Sequence, residues 1–179
     1  MIKFSPLNKR RWRNFRSNRR AFWSLIIFTG IFLISLFAEL IANDKPILVK
    51  YRGDYFTPIF NFYPETAFGG DFKTEAVYSD PVVRCLIHSG GLETCFDSPE
   101  ITLALINSNE FDETTHGYER GWALWPIIPY SYDTSVERPG AAPLPPNRQN
   151  LLGTDDTKRD VLARIIYGFR LSIIFTIIV

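Results

Sequence analysis

Side chains that carry redox, soft-metal or proton-transfer chemistry are scarce in the 179 residues, which hold two cysteines, two histidines and one methionine. Two cysteines are too few for a disulfide scaffold, and 11 glycines and 12 prolines without a repeat exclude a collagen-like chain. No nucleophile elbow, HExxH or paired CxxC occurs. Gly69-Gly70-Asp71-Phe72-Lys73-Thr74 superficially suggests a phosphate loop, but Phe72 stands where a glycine must precede the lysine. Catalysis, a metal centre and a cofactor are therefore not expected. The 15 Phe and 8 Tyr exclude a disordered chain.

Acidic residues are missing from residues 1–20, which hold Lys3, Lys9, Arg10, Arg11, Arg13, Arg16, Arg19 and Arg20. The formal net charge of +1 thus conceals an arm of +8 and a remainder of −7. Charge of either sign is then missing from Ala21 to Ala38, eighteen residues that make roughly 27 Å of helix against a hydrocarbon core of about 30 Å. The sequence predicts a transmembrane helix over 21–42. A cleaved signal peptide has a shorter apolar run and a small-x-small site, which Leu36-Phe37-Ala38-Glu39-Leu40 lacks. The basic flank places the N-terminus in the cytoplasm and the following acidic stretch outside. Leu7, Trp12 and Phe15 alternate with the arginines, so the arm is expected to lie on anionic lipid; its position against an apolar span disfavours nucleic acid.

A second apolar run, Leu171–Val179, makes only about 13.5 Å of helix, which predicts the start of a second span in a longer membrane protein, with a natural short hydrophobic tail as the alternative. The expected fold is an α-helical membrane protein: one complete transmembrane helix, a small mixed α+β external loop domain over 43–152, and the start of a second transmembrane helix over 171–179.

Within the loop domain, Ile47–Tyr51 and Tyr55–Thr57 flank Arg52-Gly53-Asp54 as a β-hairpin, a simpler account of that tripeptide than adhesion. Ser79-Asp80-Pro81 before Val82–Ile87 and Gly90-Gly91, and Ser98-Pro99-Glu100 before Ile101–Ile106, mark two short helices. Six of the twelve prolines fall between Pro126 and Pro146, which predicts an extended strut. Cys85 and Cys95 form a disulfide if the topology holds; free thiols, and a metal site with His88 and His116, are the alternatives.

From Asn150 to Arg164 the text is NLLGTDDTKRDVLAR. Thr157 and Asp160 are spaced as a capping pair, and Val161, Leu162, Ile165, Ile166 and Phe169 share one helical face, so an amphipathic interfacial helix is expected over 153–170. The same stretch resembles the L-G-T-D-x-x-G-R-D-V-L-x-R-x-x-Y-G-x-R-x-S-L signature of the permease subunits of dipeptide and oligopeptide ABC importers. Leu152, Gly153, Thr154, Asp155, Arg159, Asp160, Val161, Leu162, Arg164, Tyr167, Gly168, Arg170, Leu171 and Ser172 fall in register, and Lys158 stands where the family has glycine. The arm Trp12–Ala21, the stretch FAELIANDKP, Phe68–Phe72 and Gly121–Pro126 extend the likeness toward the microcin C and peptide importers; the part from Cys85 to Glu119 matches least.

The resemblance implies a multi-pass inner-membrane subunit of six spans with residues 43–170 periplasmic. Its partners would be a second permease subunit, ATPase subunits that supply the hydrolysis, and a periplasmic peptide-binding protein. Gly153, Thr154, Asp155, Arg159, Asp160, Arg164, Gly168 and Arg170 would serve packing or gating, and Arg10, Arg11, Arg13, Arg16, Arg19 and Arg20 topology and lipid. The coupling loops would lie further along, so this stretch alone is not expected to transport. A single-span anchored binding or structural module is the alternative from another class.

Overall fold

The computed structural model describes residues 5–108 and 120–179 and falls into two compact units. One comprises the chain up to Phe37 together with Tyr167–Val179; the other is Ala38–Ile166.

In the first unit, helix α1 (Pro6–Ser17) carries the basic arm. Pro6 suits the first helical turn, where its missing N–H has no partner to lose. Asn18 interrupts the helix and its side chain accepts from the Ala21 amide, opening α2 (Arg19–Leu36), whose mean hydropathy is 1.5. The helix expected to run on to residue 42 instead breaks at Phe37. The Ser35 hydroxyl donates to the Phe32 carbonyl at 2.7 Å, and the Phe37 amide turns back to Ile34, tightening the last turn. The remaining Ala38–Ile41 (α3) begins the second unit.

The second unit is built on a three-stranded antiparallel sheet in the order β2-β1-β3, with β1 Leu48–Tyr51, β2 Asp54–Phe56 and β3 Trp122–Leu124. The β1–β2 turn has positive φ at both Arg52 (49°) and Gly53 (85°), the geometry that matches strand twist in two-residue hairpins. Arg52 is held there, its Nε donating to the Gly90 carbonyl at 2.9 Å and its guanidinium lying over the Tyr51 ring. Helices α4 (Pro81–Ser89), α5 (Thr94–Asp97) and α6 (Pro99–Asn107) follow; Asp80 caps α4 by accepting from the Val82 amide at 2.7 Å, and Gly90 closes it in the left-handed region. Val83 and Ile87 of α4 pack with Val49, Tyr51, Phe68 and Tyr78, a core in which Phe68 meets Tyr51, Phe56, Tyr63 and Tyr78 edge to face. The opposite side of α4 contributes Cys85 and Leu86, and Cys85 is joined to Cys95 in a disulfide with Cα atoms 5.6 Å apart. His116, the remaining member of the alternative metal set, lies outside the described residues.

Strand β3 is not apparent from its sequence, since Trp122-Ala123-Leu124 directly precedes the proline-rich stretch. It joins the sheet because Gly121 lets two backbones close: a Cβ there would lie 2.0 Å from the Ile87 carbonyl oxygen and 2.6 Å from that of Lys50. Beyond β3 the expected extended strut is bent. Isolated bridges pair Ile128 with Ala42 and Ser135 with Arg159, and the non-proline amides of Ile128 and Val136 donate to Ile41 and Lys158. Prolines remove donors only at their own positions, and the amides between them still require acceptors.

The final helix, α7 (Val161–Ile178), differs from the division into an interfacial helix over 153–170 and a span from 171. It is one continuous helix of 18 residues, mean hydropathy 1.9, and residues 153–160 are loop. Lys158 has φ +62°, which no right-handed helix accommodates, and Asp155 gathers the donors that a helical start at Thr157 would need. Ile165, one of the five residues expected to share an apolar face, is 52% exposed, and the fully buried position on this helix is Ala163.

Candidate functional site

The stretch from Asn147 to Arg164, a loop and the first turn of α7, brings most of the signature residues together as a hydrogen-bonded clasp. Asn147 begins it, its side-chain oxygen accepting from the amides of Gln149 (3.0 Å) and Asn150 (2.6 Å), a local turn that asparagine favours. Asn150 is thereby directed inward and is fully buried; its amide donates to Asp160 Oδ2 at 2.9 Å. The other carboxylate oxygen of Asp160 accepts from the Ala163 amide at 2.8 Å, so Asp160, not Thr157, caps α7. Thr157 is spent elsewhere, donating through its hydroxyl to Asp155.

Gly153 and Thr154 lock the clasp to the returning chain. Gly153 has φ +74°, and a Cβ on it would lie 2.6 Å from the Leu144 carbonyl oxygen, so both conformation and space call for glycine. Thr154 makes two bonds with Leu144: its amide donates to the Leu144 carbonyl and its hydroxyl accepts from the Leu144 amide at 2.9 Å.

Asp155 is the hub of the outer half. Oδ1 accepts from the Thr157 amide, the Thr157 hydroxyl and the Arg159 amide at 2.8–2.9 Å; Oδ2 accepts from Arg159 Nε at 3.1 Å and from Arg164 Nη1. Burial pushes this carboxyl up, but the hydrogen bonds from Arg159 and Thr157 outweigh it and hold Asp155 well below the usual carboxylate range. Lys158, at its left-handed position, reaches across with Nζ donating to the Arg138 carbonyl at 3.1 Å. Arg138 in turn donates to the Pro145 carbonyl.

Gly153, Thr154, Asp155, Arg159, Asp160 and Arg164 are thus one cluster. Gly168 and Arg170 are not in it: both lie on α7 in the other unit, where a Cβ on Gly168 would meet nothing within 4 Å and the Arg170 guanidinium lies over the Tyr167 ring. Arg10, Arg11, Arg13 and Arg16 are on α1, and Arg19 and Arg20 open α2. Asn147, Leu144 and Arg138 belong to the clasp without being evident from sequence; the Asn147-x-x-Asn150 spacing was the available signal. Among the described residues, no group of three or more His, Cys, Asp or Glu is placed to hold a metal. The clasp offers no free nucleophile or acid–base pair. Its chemistry is positional: it fixes where an apolar helix begins.

Two helices are long and apolar enough to cross a bilayer, and a compact domain with a buried polar clasp stands at the start of the second, an arrangement consistent with a membrane protein. Residues 5–61 match the family described as the N-terminal TM domain of oligopeptide transport permease C. The chain is 39% identical over 178 residues to the inner membrane ABC transporter permease protein YejE of Escherichia coli (strain K12), which covers 98% of this chain and 43% of that protein. It is 38% identical over 197 residues to the peptidoglycan transport system permease protein YejE of Agrobacterium fabrum, covering 96% of this chain and 44% of that one. No solved structure matches significantly. Over nearly its whole length the chain is similar to peptide-type ABC permeases, and it spans less than half the length of these curated relatives.

Proposed function

We propose that this chain is part of a permease subunit of a bacterial ABC importer that carries peptides or peptide-containing cell-wall fragments across the inner membrane. The observation that carries this is the identity of 38–39% to two permeases over nearly the whole chain. On this reading the chain is itself no enzyme: hydrolysis belongs to separate ATPase subunits, a second permease subunit completes the path, and a periplasmic binding protein delivers the substrate.

The N-terminus is cytoplasmic and residues 43–160 lie on the periplasmic side. Eight uncompensated positive charges before Ala21 support that orientation, and so does a disulfide in the following domain, since such bonds persist in oxidising compartments. Lys158, Arg159, Arg164 and Arg170 near α7 oppose it, but Asp155, which pairs with Arg159 and Arg164, together with Asp156 and Asp160 offsets three of those four charges. The net acidity of residues 43–156, eight basic against 17 acidic, favours cationic peptides in the approach to the membrane.

In-frame deletion of the coding sequence in its own host should abolish uptake of a labelled peptide, with restoration by the full-length gene. Unchanged uptake would remove the transport reading. An alkaline phosphatase fusion after Asn107 should be active and one before Arg19 inactive; the reverse would overturn the topology.

A further inference from the structure

We propose that the groove between α1 and α2 binds a single anionic phospholipid of the cytoplasmic leaflet, with the phosphate at Lys9 and Arg11 and one acyl chain along Trp12, Phe15 and Leu25. This rests on the reading of the arm as cytoplasmic and goes beyond it, from a charged segment near a membrane to a site with a defined occupant.

The groove encloses about 710 Å³ and is lined by Asn8, Lys9, Arg11, Trp12, Phe15 and Leu25. Asn8, Arg11, Trp12 and Phe15 recur at i, i+3, i+4 and i+7, so they occupy one face of α1. The floor is apolar and built: Trp12 stacks on Phe15 with ring centroids 5.8 Å apart, and Phe15 meets Phe22 edge to face at 6.5 Å. Yet the floor is uncovered, with Trp12 56% and Leu25 44% exposed. Leu25 lies six residues into α2 from Arg19, about 9 Å along the axis, the depth at which headgroup gives way to hydrocarbon.

The rim matches the headgroup in charge. Lys9 supplies a point charge and Arg11 a planar fork suited to phosphate oxygens, and no acidic residue precedes Glu39 in the sequence to oppose an anion. Asn8 adds an amide that reaches an ester or hydroxyl. Arg10 and Arg13 do not line the groove, which separates a site from a general attraction between a cationic helix and an anionic surface.

Native mass spectrometry of the whole chain, released from micelles doped with phosphatidylglycerol or phosphatidylcholine, tests this. One phosphatidylglycerol should be retained per chain in preference to phosphatidylcholine. Lys9→Gln with Arg11→Gln should cut that retention about tenfold, whereas Arg10→Gln with Arg13→Gln, equal in charge, should change it less than about threefold. Equal losses from both pairs would overturn the site while leaving a diffuse lipid-bound arm intact. Absence of any preference for the anionic lipid would overturn both. Displacement by glycerol 3-phosphate alone would show that the apolar floor contributes nothing, and tighter binding of an oligonucleotide than of phosphatidylglycerol would assign the arm to nucleic acid; either result would also overturn the site.

Discussion

Replacing Asp160 by alanine removes two bonds that no other group can supply. The Ala163 amide loses its cap, a change that costs about 1 kcal/mol on average. The Asn150 amide, fully buried, loses the acceptor at 2.9 Å, and a buried donor left without one costs about 1–3 kcal/mol. Together Asp160→Ala should destabilise the second unit by about 2–4 kcal/mol. Asp160→Asn separates the two effects. Its side-chain oxygen can still cap Ala163, but its NH2 then faces the Asn150 NH2, and rotating Asn150 would turn its donors toward Arg138, now its neighbour at 3.5 Å. Asn should therefore cost only about 1–2 kcal/mol, since asparagine caps as well as aspartate. Urea denaturation of the chain in detergent, followed by tryptophan fluorescence, reads the difference: with a slope of about 1–3 kcal/mol per molar, a loss of about 3 kcal/mol lowers the midpoint by roughly 1–3 M. A loss under about 0.5 kcal/mol for alanine, or equal losses for the two variants, would refute the assignment of Asp160 as cap and anchor.

Lys158 pays steric strain at φ +62°, so stability should rank Lys158→Gly at or above wild type, by up to about 1 kcal/mol, and Lys158→Val below it, in the same denaturation assay. Gly121→Ala places a methyl against two backbone carbonyls that cannot rotate away and should lower stability by about 2–3 kcal/mol, with β3 amides losing hydrogen-exchange protection first. Reduction of the Cys85–Cys95 bond, or Cys85→Ala with Cys95→Ala, should cost about 2.5–3 kcal/mol for a loop of this length, seen as a fall in midpoint on adding dithiothreitol. Asp155 is depressed in the folded state, so its contribution is complete above its unfolded value near pH 4 and is lost as pH falls through the lower folded value; Asp155→Asn should flatten the acid limb of the stability profile.

What the sequence made legible was whatever local physics decides. The charge gap from Ala21, the Asp80-Pro81 cap with Gly90 behind it, and the Arg52-Gly53 turn each draw on neighbours a few residues away; the cap and the turn appear where the pattern puts them, and the gap yields a helix that stops at Leu36, short of residue 42. What stayed hidden depends on partners far along the chain. β3 exists because Gly121 admits the carbonyls of Lys50 and Ile87, and nothing in Trp122-Ala123-Leu124 announces that. The start of α7 was misplaced for the same reason: Thr157 and Asp160 have capping spacing, but Asp155, five residues before Asp160, takes the Thr157 hydroxyl and amide first. Periodicity could not show this competition, because every contestant carries the right chemistry.

The clasp explains why charged residues stand at the start of an apolar helix where they do no chemistry. A chain returning to an apolar helix through six prolines has few amides to spend on a sheet, and the backbone it does expose must be met by side chains. Asn147, Asn150, Thr154, Asp155 and Asp160 meet it, each bonding backbone or another clasp member within the stretch from Arg138 to Arg164. On the proposed permease reading, the signature residues of this stretch serve a fixed helix start more than contact with substrate. On the same reading, loss of a clasp residue should deplete the assembled protein rather than change which substrates compete for uptake, a distinction between protein abundance and competition profile that substitutions at Gly153 and Asp160 would expose together.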